Sequence, residues 1–131
     1  MRRTGFKSPR KPLARTPFTS KRKPMKAKSA KKAAYERSDE GKAARQYVGL
    51  VKQLGCAVCG APGPSDAHHP QSGRYGKSRA SDFDVIPLCP PCHRQEYGPG
   101  AYHYSKRDWE AANGPDHGFI EVTRKRVREL I

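Results

Sequence analysis

Apolar residues along this chain fall into short, separated patterns, and each pattern predicts a different element. Ala44, Tyr47, Val48, Val51 and Leu54 recur at three- and four-residue intervals and would form one stripe of a helix. Ser38 is placed to cap it, Asp39 and Glu40 fall in the electropositive first turn, and Gly55 is placed to end it in the left-handed conformation. The expected helix spans 39–54, with an alternative start further back through 31–37. Residues 56–64 (CAVCGAPGP) read as a cysteine knuckle and a turn, and 67–69 as a short strand stopped by Pro70. A second strand is expected at 84–88 (DVIPL), with Pro87 at its end or on a sheet edge. Between the strands lies a basic, glycine-containing loop, QSGRYGKSRASD.

A short helix is expected over 92–97. Ser105 to Asp108 opens a further helix in the manner of a capping box, with Trp109 as its buried anchor and Gly114 as its stop. Residues 120–131 form a last, strongly basic helix carrying Val122, Val127 and Leu130. Residues 1–32 hold Phe6, Leu13 and Phe18 as almost their only bulky apolar groups. Such a segment cannot offset its conformational entropy by burial, so it is expected to be disordered until it binds. The organisation read from the pattern is a tail over 1–32 and one small α+β domain over 33–131 with flanking helices.

Composition sharpens this. Only 34% of the 131 residues are hydrophobic and the mean hydropathy is −0.95, so the core must be small and needs a staple. No apolar run approaches the roughly 20 residues of a membrane span, and the basic N-terminus lacks the apolar stretch of a secretory signal. The expectation is a soluble, cytoplasmic protein. Net charge is +15, and 13 of the 27 Lys and Arg residues lie in 1–32 with no acid among them, leaving 14 against 12 acids elsewhere. A tail so charged, Lys21, Arg22 and Lys23 included, is attracted to nucleic acid. Pro9, Pro12, Pro17 and Pro24 argue against the amphipathic helix of an organellar presequence.

The four cysteines form two pairs of identical spacing, Cys56-x-x-Cys59 and Cys89-x-x-Cys92. That spacing lets each knuckle present two thiolates to a tetrahedral ion, and zinc suits four sulfurs best. Iron–sulfur ligation and disulfides are the weaker alternatives. The pairs are separated by 29 residues, 60–88, where simple zinc modules use about 15–20. The staple therefore clamps an insertion, and that insertion holds His68 and His69, while His93 follows Cys92 directly. Adjacent residues on a strand face opposite sides, so His68 and His69 are expected to do different jobs. His103 and His117 have no motif around them and read as surface or capping residues.

The stretch CAVCG…AHHP…SDFDVIPLCPPCH resembles the HNH, or ββα-metal, endonuclease pattern over residues 56–93. The loop and the later GAYHYSKRDWEAANG are similar to phage and prophage HNH proteins of the recombination-enhancing, RecA-dependent group. The resemblance implies a zinc-stapled fold in which His69 is the general base, His68 and His93 hold a catalytic Mg²⁺ or Mn²⁺, and Asp84 orients the base, with Asp82 close enough to replace it. It implies hydrolysis of DNA phosphodiesters to 5′-phosphate ends, with a RecA-type filament as partner. Histidine at 68, where the family often has Asp, weakens Mg²⁺ relative to Mn²⁺, Zn²⁺ or Ni²⁺. Arg74, Lys77 and Arg79 on the loop are placed to hold flanking phosphates. The competing readings are a non-catalytic zinc ribbon that binds nucleic acid, and a degenerate HNH domain kept as a scaffold.

Overall fold

A computed structural model describes residues 24–25, 27–72 and 79–131. Most of the expected tail lies outside the described residues, as do Lys21, Arg22, Lys23, Arg74 and Lys77. Among those described, the chain folds as a small α+β unit of five α-helices, three short 3-10 turns and one two-stranded sheet.

Helix α1 (Ala30–Arg37) starts inside the segment that composition assigned to the tail, and α2 (Asp39–Gln53) follows after one residue. That residue, Ser38, serves both. Its N–H donates to Ala34 and Tyr35 carbonyls at the end of α1, while its hydroxyl accepts from Gly41 N at 3.1 Å to open α2. The elbow is tight, because a side chain at Gly41 would meet the Tyr35 carbonyl oxygen at 2.1 Å. At the other end, Leu54 terminates α2 in an extended conformation, and Gly55 is not left-handed as its position suggested. Gly55 is needed for room: a Cβ there would lie 2.9 Å from the Ala61 carbonyl oxygen, where the knuckle folds back through Cys56 N–H···O=C Ala61.

Strands β1 (Asp66–His68) and β2 (Ile86–Leu88) pair antiparallel with Asp66 opposite Leu88 and His68 opposite Ile86. β1 lies one residue earlier than expected, so His69 stands just past its end. Residues Asp82–Asp84 form a 3-10 turn capped by Ser81 rather than the start of β2. Pro87 sits at the centre of β2, not at its end. Its carbonyl accepts from Ala57 N at 2.9 Å on the side away from β1, so its missing N–H costs the sheet nothing. Helix α3 (Pro90–His93) breaks at extended Arg94, and a separate 3-10 turn (Gln95–Tyr97) follows where one helix was expected. Helix α4 (Lys106–Asn113) has the Ser105 cap, buried Trp109 and closing Gly114 read from sequence, and Gly114 takes a positive φ of 80°. Helix α5 (Ile120–Leu130) faces inward with Thr123 and Val127, whereas Val122 and Leu130 are exposed.

Two apolar clusters flank the hairpin. One joins Cys56, Ile86, Leu88, Cys89, Tyr102 and Trp109; the other joins Val51, Leu54, Val85 and Val127. The alternation along Val85, Ile86 and Leu88 lets one short segment supply both. No helix among the described residues is long and apolar enough to cross a membrane.

Candidate metal centre and adjoining histidine

Among the described residues, two clusters of metal-ligating side chains stand out. The sulfurs of Cys56, Cys59, Cys89 and Cys92 all lie within 4.8 Å of one another, with Cys59 and Cys89 Sγ 3.5 Å apart. Each pair is bent into a turn by a backbone bond, Gly60 N–H to Cys56 O and Cys92 N–H to Cys89 O. Burial opposes ionisation of Cys56, but backbone N–H groups of Cys59, Cys89 and Val58 outweigh it and bring the thiol down to about 7. Burial pushes the Cys89 and Cys92 thiols up, and a bound cation reverses that. The four sulfurs could hold a zinc ion, and they would leave it no open position.

The second cluster is His68, His93 and His103, whose ligating nitrogens also lie within 4.8 Å of one another. His68 ends β1 and His93 ends α3. His103 arrives by a backbone clamp: Tyr102 N–H donates to Cys92 O at 2.8 Å and His103 N–H to His93 O at 3.2 Å. The Nε2 atoms of His93 and His103 are 3.2 Å apart. His103 is exposed, as expected from sequence, but it joins a cluster in which sequence reasoning gave it no part. No spacing rule links it to His93; the one signal was its place in the GAYHYSKRDWEAANG stretch that carries part of the family resemblance.

Carboxylates stand behind two of the three rings. His68 Nε2 lies 3.0 Å from Asp116 Oδ2, and Asp116 is fully buried and accepts from Gln71 N and Ser72 N at 2.8 and 3.0 Å. Burial opposes its charge, yet the bonds from His68, Gln71 and Ser72 hold its carboxyl far below the usual range. His93 Nδ1 lies 3.0 Å from Asp66 Oδ2, and Arg94 grips both oxygens of Asp66 at 2.8 Å. Such carboxylates fix the tautomer and aim the other ring nitrogen at an ion. Burial lowers the pKa of both His93 and His103, which keeps them neutral and able to ligate. Sequence reasoning passed over Asp66 and Asp116 because their pairing with histidines 27 and 48 residues away follows no local pattern.

Three imidazoles with no carboxylate among them suit Zn²⁺ or Ni²⁺, with Mn²⁺ weaker, and fit Mg²⁺ poorly. Three donors also leave a fourth position open, as in catalytic zinc sites.

His69 points elsewhere. Its Nε2 lies 2.7 Å from Asp82 Oδ1, and the Arg79 guanidinium lies against the ring at 3.0 and 3.4 Å from its two nitrogens. Asp84, which spacing favoured as the partner of His69, instead receives Arg124 Nη2 at 2.5 Å. The 3-10 turn is the reason: at three residues per turn, residues two apart in it point about 120° apart, so Asp82 reaches His69 while Asp84 reaches Arg124 of α5. A pocket of about 320 Å³ is lined by Ala67, His68, His69, Gln71, Arg79, His93 and His103. His117 takes no part in either cluster. Comparison of the chain with family models, curated protein sequences and solved structures finds no match.

Proposed function

We propose that this chain is a metal-dependent endonuclease of the HNH type that hydrolyses DNA phosphodiester bonds. One observation carries the reading: the three-histidine cluster and His69, which is bonded to Asp82 behind it, line the same pocket, with Arg79 on its wall. An ion site with an open position beside a base held by a carboxylate is what hydrolysis of an unreactive ester needs. The order β1, β2, α3, with cysteines before and after the hairpin, supports the ββα-metal arrangement implied by the sequence resemblance.

In the tautomer with Nε2–H donating to Asp82, Nδ1 keeps the lone pair that takes the proton of an attacking water, once the Arg79 guanidinium, 3.4 Å from it, turns to the phosphate. The water oxygen bonds to phosphorus, the bond to the 3′ oxygen breaks, and a 5′-phosphate end results. Arg79 is placed to hold a non-bridging oxygen of that phosphate. A cation on His68, His93 and His103 supplies electrostatic stabilisation of the charge that develops during this step. By the same resemblance, a RecA-type filament is the proposed partner.

The test is cleavage of single-stranded and supercoiled DNA in Zn²⁺, Mn²⁺ or Mg²⁺, with and without a RecA-type filament, beside a His69→Ala variant. Loss of a general base lowers the rate by about 10²–10⁴-fold. Cleavage that survives His69→Ala overturns the assignment of the base. No cleavage with any ion or with the filament, in protein that binds DNA, favours the non-catalytic zinc ribbon.

A further inference from the structure

The nuclease reading uses Arg79 but leaves unexplained a second groove that begins at the same residue. This groove, of about 360 Å³, is lined by Arg79, Ala80, Ser81 and Asp82 on one side and by Lys32, Tyr35, Glu36, Gly41 and Arg45 of α1 and α2 on the other. It continues into a shallower depression that shares Glu36 and Arg45 with it and adds Lys28, Arg37 and Lys42. Arg79 thus lines both the histidine pocket and the start of a basic channel along the α1–α2 elbow, and Asp82, on the channel, is bonded to His69 of the pocket.

The charges in the channel are lopsided. Its acids are already engaged: Glu36 receives Lys28 at 2.7 Å and Asp82 holds His69. Lys32 and Arg45 are exposed and form no ion pair within 4.0 Å among the described residues; they reach Glu36 only at longer range. Tyr35 is 40% exposed and lines the same groove, an aromatic ring in a channel with two cations. α1 has no buried residue, so nothing in the core accounts for its sequence. Its orientation is nonetheless held firmly by Ser38 and by the close approach at Gly41.

We propose that this channel carries a single nucleic-acid strand away from the histidine pocket, with Lys32 and Arg45 on successive phosphates and a base stacked on Tyr35. The inference rests on the nuclease reading for its direction and goes beyond it by naming the strand's path and its single-stranded state. Cations spaced along a groove with an interposed aromatic are how proteins hold single strands without reading sequence. A rigid duplex presents no free base face to Tyr35.

The experiment measures binding of full-length His69→Ala protein, which leaves the strand uncut, to fluorescein-labelled oligothymidylate over a range of salt. Adding Lys32→Gln and Arg45→Gln should flatten the slope of log affinity against log salt by about 1.4, at roughly 0.7 per single-strand phosphate contact. Adding Tyr35→Ala instead should weaken the single strand about fivefold or more, and a blunt duplex much less. A control pair, Lys125→Gln and Arg128→Gln on α5, removes the same charge away from the channel. An equal slope change from the control, no slope change from the channel pair, or an equal Tyr35→Ala loss on duplex overturns the proposal. Cleavage by the parent protein together with an unchanged slope overturns the channel alone. A flattened slope with no cleavage under any condition overturns the nuclease reading and leaves the strand path standing.

Discussion

His69 has two carboxylates within chain reach, and a single turn decides which one it meets. Asp82 contacts the ring at 2.7 Å, whereas Asp84 is bound to Arg124, itself tied to Glu121. Asp82→Ala should therefore lower the cleavage rate about ten- to a hundredfold, by analogy with other residues that orient a histidine. Metal content and DNA affinity should stay as they were. Asp84→Ala should leave the rate alone and cost at most about 1 kcal/mol of stability in a urea titration, since the lost ion pair is only partly buried. Equal rate losses from the two variants would refute the assignment. The sequence narrowed the partner to these two residues through the family resemblance, which puts the orienting residue five positions before Cys89, at Asp84, with Asp82 beside it. It could not choose between them, because a 3-10 turn over three residues leaves no periodicity to read. His103 was illegible for a different reason: it reaches the site through backbone bonds between residues ten apart, and backbone bonds carry no side-chain signature.

At the level of elements, legibility follows local chemistry. Ser38, Asp39, Ser105 and Gly114 announced the ends of α2 and α4 because caps act through residues three or four apart. Gly55 and Pro87 misled because their roles are set by distant carbonyls and by which side of a strand faces a neighbour. The same contrast separates two serine caps. Ser29 caps α1, which buries nothing, while Ser38 caps α2, which buries Gly41, Ala44 and Val51, and also ties down the end of α1. Ser38→Ala should cost about 1 kcal/mol or somewhat more in urea unfolding. Ser29→Ala has the same capping chemistry but should leave global stability unchanged, since fraying of α1 exposes no core. Matching losses would show that α1 belongs to the cooperative unit.

The molecule as a whole is built so that its two candidate ion sites differ in what depends on them. Cys56 and Cys89 are members of the larger apolar cluster, so a zinc ion on the four sulfurs would be part of the core that holds β2 against Tyr102 and Trp109. His93 is only partly buried and His103 is exposed, and the pocket they line opens to solvent. Metal analysis should accordingly find two ions per chain of unequal lability. A mild chelator should withdraw the histidine-bound ion and abolish cleavage while the circular dichroism stays native. Stripping the sulfur-bound ion should melt residues 56–97, with loss of hydrogen-exchange protection there before the Val51, Leu54, Val85 and Val127 cluster opens, because that cluster contains no ligand. His103→Ala should remove one equivalent of metal and keep the fold, whereas Cys89→Ser should remove the structural ion and destabilise the domain. Loss of both ions in His103→Ala would mean that the histidine ion, too, is structural, and the case for an open reactive position beside His69 would go with it.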